Sequence, residues 1–279
     1  GRQALLRNTT GDSNVASGYA SLLSNTTGSF NSAYGSFALS GNTTGNYNTA
    51  IGRQALYTNS TGGSNVASGY AALYYNSSGS FNSAYGSFAL FGNTTGDYNT
   101  AIGRQSLYRN TTGSNNTASG YASLLSNTTG SYNSAYGSFS LFSNTTGAYN
   151  TAIGRQALVS NTTGISNTAS GYVSLLSNTT GSYNSAFGSF ALSGNSSGDY
   201  NTGIGRQSLY NNTSGDSNSA IGYQAGFSLN SGSGNTFIGS NACDDVTSAN
   251  NFFCFGNSLG TIFTANTSTG HMVLGNGKG

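Results

Sequence analysis

The chain has 279 residues, of which only 5% are charged, and its formal net charge is +2. The positive charge comes from scattered arginines and Lys278, so no basic patch predicts a nucleic-acid partner. No apolar stretch approaches the roughly 20 residues that a membrane-spanning helix needs. Composition therefore argues against nucleic-acid binding and against a membrane span.

A 17-residue repeat runs through most of the chain, and Asn48–Ser64 is a representative copy. We number its positions from the opening asparagine. Position 1 is Asn and position 5 is Gly throughout, position 9 is Leu from Leu5 to Leu209, and position 15 is Gly from Gly11 to Gly232. A fixed period without insertions indicates structural units that stack one on the next.

Apolar residues fall at positions 3, 8 and 9, between glycine-rich corners, rather than at helical spacing. We expect two short strands per repeat, at positions 2–4 and 7–10, with an Asn-Thr-Thr-Gly turn closing the coil. The predicted fold is all-β: a single-chain parallel β-solenoid of about 16 coils with a C-terminal capping hairpin. The position 1 asparagines form either an amide ladder or simple turns.

A longer period of 51 residues is superimposed on the 17-residue repeat, because position 6 takes Arg, Tyr and Ser in turn in successive coils. A 51-residue coil would stack Arg53 on Arg104 at the strand spacing of about 4.8 Å. Like charges at so short a distance repel each other, which is unfavourable. The sequence therefore favours 17 residues per coil.

Three regions follow from the pattern. Residues 1–217 form the regular array, 218–256 are degenerate terminal coils, and 257–279 form a β-hairpin or begin a following domain. Residue 1 falls at repeat position 5, in the middle of a coil, so we expect the chain to be part of a longer protein.

Both cysteines lie in the degenerate region. Cys243 takes position 9 of one coil and Cys254 takes position 3 of the next, and both positions face the predicted core. A disulfide between them would suit an extracytoplasmic protein, and two buried thiols are the alternative.

The sequence offers little for catalysis. It has no glutamate, one histidine (His271) and six aspartates, of which Asp244 and Asp245 are adjacent. Neighbouring strand residues point to opposite faces, so this pair is poorly placed for acid–base work. We predict a protein that is not an enzyme, with no cofactor and no metal site.

Position 12 is an asparagine that opens an Asn-x-Ser/Thr triplet, the acceptor for N-glycosylation. A column of glycans along one edge is one hypothesis, and a turn whose hydroxyls bond the backbone is the other. The candidate sites are Asn8, Asn25, Asn42, Asn59, Asn76, Asn93, Asn110, Asn127, Asn144, Asn161, Asn178, Asn195 and Asn212.

Aromatic residues concentrate at positions 4, 7, 10 and 17, and a thin core cannot hold them all. Rows of exposed rings are typical of a protein–protein face, and ring stacking along the surface is the alternative. The predicted lateral-contact residues are Tyr34, Phe37, Tyr85, Phe88, Tyr136, Phe139, Phe187 and Phe190.

The pentapeptides beginning at Asn48, Asn99, Asn150 and Asn218 (Asn-Thr/Ser-Ala-Ile-Gly) resemble the head repeats of YadA-like trimeric autotransporter adhesins. The fuller unit, with the Asn-Thr-Thr-Gly turn, also resembles shaft repeats of phage and giant-virus tail-fibre proteins. The first resemblance implies a left-handed β-roll that trimerises and binds surfaces. The repeat is longer here than the adhesin unit.

We therefore predict a non-catalytic, structural and adhesive fibre or stalk at a cell or virion surface or outside the cell. Its partners would be copies of itself, as a trimer or filament, and surface or glycan ligands. A homotrimeric tail-fibre shaft is one alternative. Ice or mineral binding through the threonines at positions 13 and 14, such as Thr43 and Thr44, is another.

Overall fold

A computed structural model describes residues 1–257 and the strand at 272–274. Each repeat contributes one three-residue strand. The strands are β1 (Val15–Ser17), β2 (Ser32–Tyr34), β3 (Thr49–Ile51), β4 (Val66–Ser68), β5 (Ser83–Tyr85), β6 (Thr100–Ile102), β7 (Thr117–Ser119), β8 (Ser134–Tyr136), β9 (Thr151–Ile153), β10 (Thr168–Ser170), β11 (Ser185–Phe187), β12 (Thr202–Ile204), β13 (Ser219–Ile221), β14 (Thr236–Ile238), β15 (Phe253–Phe255) and β16 (Met272–Leu274).

The chain divides into two compact units. The first comprises Gly1–Phe139 with Asn144–Thr146, and the second comprises Ser140–Ser143 with Gly147–Gly279. Within each unit, consecutive strands pair in parallel, and through β15 residues 17 apart are partners, as Ala50 with Ala67 or Thr168 with Ser185. The predicted parallel β-solenoid with one 17-residue repeat per coil is confirmed.

The core is as thin as the sequence predicts. Ala50 at position 3, Ala55 at position 8 and Leu56 at position 9 are all fully buried, and the equivalent residues of neighbouring coils are buried too. Position 3 points inward from the strand, whereas positions 2 and 4 point outward because side chains alternate along a strand. Stacking of coils within each unit therefore buries a continuous column of small and branched side chains.

The predicted second strand, at positions 7–10, is wrong. This segment is a run of turns, with positive φ at position 7 (Gln54, 60°) and position 9 (Leu56, 52°). Left-handed residues cannot continue a strand, because the β region requires negative φ. Neighbouring coils still exchange backbone hydrogen bonds here, as Leu56 N donates to Ala72 O at 2.9 Å.

The glycine at position 5 turns the chain out of each strand. Gly86 has φ of 133°, and a Cβ there would lie 2.7 Å from the carbonyl oxygen of Gly103 in the next coil. The position therefore requires glycine both for its backbone conformation and for the close approach of the coils. The position 15 glycines differ, because none of them has positive φ.

Two substitutions compensate each other in the terminal coils. Gly226 replaces the position 9 leucine, and Phe237 replaces the position 3 alanine of the following coil. Phe237 is fully buried, and a Cβ on Gly226 would lie 2.7 Å from its ring. The extra ring volume fills the space that the missing leucine leaves.

Cys243 and Cys254 form a disulfide, with their Cα atoms 6.4 Å apart. Both are buried at the core positions that the repeat register assigns to them. The sequence prediction of a cross-link between the last coils is confirmed.

The predicted terminal hairpin lies largely outside the described residues. Its one described segment, β16, pairs in parallel with β15, with Phe253 opposite Met272. Residues 272–274 thus add a parallel strand to the sheet. The proposed regional boundaries at 217 and 256 stay predictions.

The close approach of neighbouring coils at position 5 predicts a large loss of stability when the glycine there is replaced. We expect Gly86→Ala to lower the free energy of unfolding by more than about 2 kcal/mol, through its positive φ and its clash with the next coil. Gly63→Ala is the matched control, because a Cβ there meets only Asn46 backbone atoms, at 3.2 and 3.8 Å. Chemical denaturation checks both, and equal stability of the two variants would contradict the account.

Candidate functional site

The position 1 asparagines form a buried ladder. Asn48 Nδ2 donates to Asn31 Oδ1 of the preceding coil at 3.1 Å and to Gly62 O of its own coil at 2.8 Å. The backbone N–H of Asn48 also donates to Asn31 Oδ1, at 2.9 Å. Of the two alternatives for position 1, the structure shows the amide ladder.

The position 12 asparagines form a second ladder. Asn59 Nδ2 donates to Asn42 Oδ1 at 2.7 Å and to Gly62 O at 2.9 Å. The carbonyl of Gly62 thus accepts from both ladders in one coil. A Cβ on Gly62 would clash with Gly79 O of the next coil and lie 2.6 Å from Asn59 Oδ1 and 2.8 Å from Asn76 Nδ2, so glycine at position 15 leaves room for the position 12 ladder.

This geometry does not fit glycosylation at position 12. From Asn25 to Asn212 these side chains are fully buried, and their Nδ2 groups are used by the ladder. A glycan on Nδ2 would remove a donor and place a sugar inside the packed coil. Asn8 is half-buried and takes part in the same ladder, because its Oδ1 accepts from Asn25. The turn hypothesis explains the repeated triplet better.

The second ladder ends at Asn212. Leu229 occupies position 12 in the coil that follows Asn212. Within the described part of the chain, Asn212 Oδ1 is buried without a hydrogen-bond partner. A buried unsatisfied carbonyl is unfavourable, so the end of the array is locally less well satisfied than its interior.

The 51-residue period has a chemical basis in contacts between coils. The Arg53 guanidinium carbon lies 5.9 Å from the ring centroid of Tyr70 in the next coil, within cation–π range. The Tyr70 ring in turn meets Phe88 edge to face, with centroids 5.1 Å apart. The same order of Arg, Tyr and Phe recurs at Arg104, Tyr121 and Phe139.

These contacts correct half of the predicted lateral-contact set. The position 7 phenylalanines are half-buried against rings of their own chain, because each packs edge to face on a position 6 tyrosine. Contacts within the chain therefore cover much of the ring surface of these phenylalanines. They are Phe37, Phe88, Phe139 and Phe190.

The other half of the predicted lateral-contact set, at position 4, lies on the outer face of the strands. Tyr34, Tyr85 and Tyr136 at position 4 are each 45% exposed, and Phe187 is 43% exposed. Exposed isoleucines such as Ile51 and Ile102 occupy the same column between them. Position 4 therefore presents a partly apolar row on the flat side of each unit.

Two further columns stack rings along the solenoid. At position 10, Tyr57, Tyr74, Phe91 and Tyr108 form a continuous stack with centroids 5.0–5.3 Å apart. At position 17 the rings stack only in pairs: Phe30 with Tyr47 at 5.1 Å, and Phe81 with Tyr98 at 4.9 Å. The ring pairs at position 17 follow the 51-residue period of the sequence, whereas the position 10 stack does not.

The described aspartates form no evident catalytic or metal-binding centre. Asp244 accepts a hydrogen bond from Asn241 Nδ2 at 3.0 Å. Among the residues that the structure describes, no group of three or more His, Cys, Asp or Glu side chains could hold a metal ion. In the same residues, no helix has the length and apolarity of a membrane span.

Comparison with protein-family models, with curated proteins and with solved structures gave no match to this chain. The resemblance to adhesin and tail-fibre repeats therefore stays a prediction.

Burial at position 12 predicts the outcome of glycan analysis. Secreted from a glycosylating eukaryotic host, the folded protein should carry no glycan at position 12 from Asn25 to Asn212, because no Nδ2 group there is accessible. Glycopeptide mapping, with the intact mass compared with the bare 28.3 kDa before and after enzymatic deglycosylation, measures this. The exposed Asn115, which also opens an Asn-x-Thr triplet but lies at position 17, is the internal positive control, and glycans at position 12 of several coils of a folded protein would contradict the structure.

Proposed function

We propose that this chain is a non-catalytic structural segment of an extracellular fibre or stalk, which assembles laterally with copies of itself. The observation that carries the proposal is the unbroken hydrogen bonding from coil to coil within each unit. Backbone and asparagine side chains both take part, as Val66 N donates to Asn82 O at 2.8 Å and Asn65 Nδ2 to Asn48 Oδ1 at 3.1 Å.

Such bonding favours a mechanical role. Each coil is held to the next by a strand, by turn hydrogen bonds and by two amide ladders, so bending must strain many bonds together. Repeat arrays of this kind extend with coil number rather than closing around one site. A segment that extends in this way suits a spacer that holds another element away from a surface.

The position 4 column supports lateral assembly. Tyr34, Ile51, Tyr85 and Ile102 are 45–47% exposed, and such side chains occupy position 4 in two of every three coils, with a serine such as Ser68 in the third. Rows of exposed apolar side chains are typical of interaction surfaces. A homotrimeric tail-fibre shaft is the alternative form of the same proposal, distinguished by a solution mass of three chains.

The ice-binding alternative has less support. The hydroxyl of Thr43 at position 13 donates to the carbonyl of Ser60 in the next coil at 2.9 Å, so it is engaged within the solenoid. The position 14 threonines, such as Thr44, do form an exposed column of hydroxyls, but they lie outside the strands. The strands themselves carry sequences such as Thr-Ala-Ile and Ser-Ala-Tyr.

Small-angle scattering with sedimentation analysis tests the proposal. We expect an elongated particle whose mass rises with concentration, and we expect the triple variant Tyr34→Ser, Tyr85→Ser, Tyr136→Ser to remain monomeric. Serine already occupies position 4 in other coils, such as Ser68, so folding should persist. The matched control is Tyr47→Ser, Tyr98→Ser, Tyr200→Ser at position 17. A compact particle would reject the fibre, and unchanged association of the position 4 variant would reject this interface.

A further inference from the structure

The position 17 column contains ring pairs separated by one coil without a ring. Phe30 and Tyr47 stack with their planes 1° apart, and Phe81 and Tyr98 stack with planes 2° apart. Ser64 lies between Tyr47 and Phe81 in the repeat. We call the space bounded by Tyr47, Ser64 and Phe81 the ring gap.

Backbone hydrogen bonds hold the three coils at the ring gap in register. Ser64 N donates to Asn46 O at 2.9 Å, and Phe81 N donates to Gly63 O at 3.1 Å. Each coil advances by one strand spacing, so the two rings are separated by two steps, or about 10 Å. A ring-shaped group midway would lie about 5 Å from each wall, a usual distance for stacked rings.

The ring gap is open to solvent. Tyr47 is 61% exposed and Phe81 is 53% exposed, although each already has one face against its stacking partner. A Cβ on Gly63, beside Ser64, would meet only Asn46 backbone atoms within 4 Å. The continuous position 10 stack shows that the fold accommodates a ring in every coil, so packing does not impose the gap.

The repeat itself sets the backbone conformation at position 17. Tyr47, Ser64 and Phe81 have φ of 59°, 56° and 59°. Ser64 therefore has the same backbone conformation as its ring-bearing neighbours, so a ring at this position is compatible with the fold.

The chemistry of the gap selects the kind of ligand. Its two walls are aromatic faces, and its floor is the Ser64 hydroxyl, which makes no hydrogen bond within the described residues. Apolar walls with a neutral polar floor match a pyranose ring, which has C–H groups on its faces and hydroxyls at its edge.

Other ring-shaped ligands fit less well. A nucleobase could stack between the walls, but single-stranded nucleic acid also needs a cationic groove for its phosphates. Lys and Arg together number only 8 in the chain. An aromatic side chain of a second copy would leave the Ser64 hydroxyl against an apolar edge.

We propose that the ring gap is a carbohydrate-binding site that holds one uncharged pyranose ring of a glycan between Tyr47 and Phe81. This proposal deepens the adhesive part of the proposed function. The same order of ring, polar residue and ring recurs in the sequence at Tyr98-Asn115-Tyr132 and at Tyr149-Ser166-Tyr183. Within the first unit, the gaps at Ser64 and Asn115 are three coils apart, or about 14 Å, so one glycan chain can engage more than one gap.

Filling the gaps tests the proposal. The triple variant Ser64→Tyr, Asn115→Tyr, Ser166→Tyr places a ring in each gap and continues the stack. The matched control adds three tyrosines to the same region at position 4, as Ser68→Tyr, Ser119→Tyr, Ser170→Tyr. The probes are hexasaccharides of β-1,4-linked glucose, β-1,4-linked N-acetylglucosamine, β-1,4-linked mannose and α-1,4-linked glucose, titrated into the full chain by calorimetry and by NMR of the tyrosine ring protons.

We expect the unmodified chain to bind at least one probe, the gap-filled variant to lose at least about tenfold in affinity, and the position 4 variant to bind normally. No binding to the unmodified chain, or equal binding by the gap-filled variant, would overturn the site. Self-association that the gap-filled variant abolishes, without sugar binding, would assign the gap to a second copy instead.

If the gap-filled chain misfolds, a variant that removes one wall of the ring gap still tests the proposal. Phe81→Ser removes one wall and introduces the residue that position 17 has in Ser64, so the fold should persist. It must weaken binding of the same hexasaccharide, and unchanged affinity would overturn the proposal. The scattering test of the fibre is independent, so an elongated particle without sugar binding would reject this site alone.

Discussion

The convergence of two asparagine side chains on one glycine carbonyl underlies the rest of this structure. In the coil of Asn48, the amides at positions 1 and 12 both donate to Gly62 O, at 2.8 and 2.9 Å. Each amide also bonds its counterpart in the preceding coil. One small hydrogen-bonded centre thus closes each coil and joins it to its neighbour, where a core of only Ala, Ser and Leu offers little apolar burial.

Several features of the sequence follow from this centre. Position 15 must be glycine because a Cβ on a residue such as Gly62 would meet the glycine carbonyl of the next coil and the position 12 amides of two coils, and positions 1 and 12 must be asparagine because each needs a donor and an acceptor in one short side chain. Buried amides without partners are costly, so the repeat tolerates no insertion. The free Oδ1 of Asn212 marks the coil where the second ladder stops, close to the disulfide that links the last coils.

Much of the fold was predictable from the sequence, and the reasons are physical. Strict recurrence of Gly, Leu and Asn determined the coil length, the inward-facing positions and the cysteine pairing. The second strand was wrong because apolar positions 8 and 9 indicate burial but not backbone conformation, and Leu56 is buried with φ of 52°. The sequence left the glycan column and the plain turn as alternatives, because a triplet such as Asn59-Ser60-Thr61 does not reveal that Asn59 Nδ2 has two partners. Ring pairs such as Phe30 with Tyr47 depend on contacts between coils that only the structure shows.

Hydrogen exchange of asparagine side-chain amides tests the central role of the ladders most directly. In the native protein, NMR should show the Nδ2 protons at positions 1 and 12, such as those of Asn99 and Asn110, exchanging as slowly as the backbone amides of the strands. The exposed Asn46 and Asn115 provide the internal reference for unprotected exchange. If Asn99 and Asn110 exchanged as fast as this reference, the ladders could not be what holds the coils together.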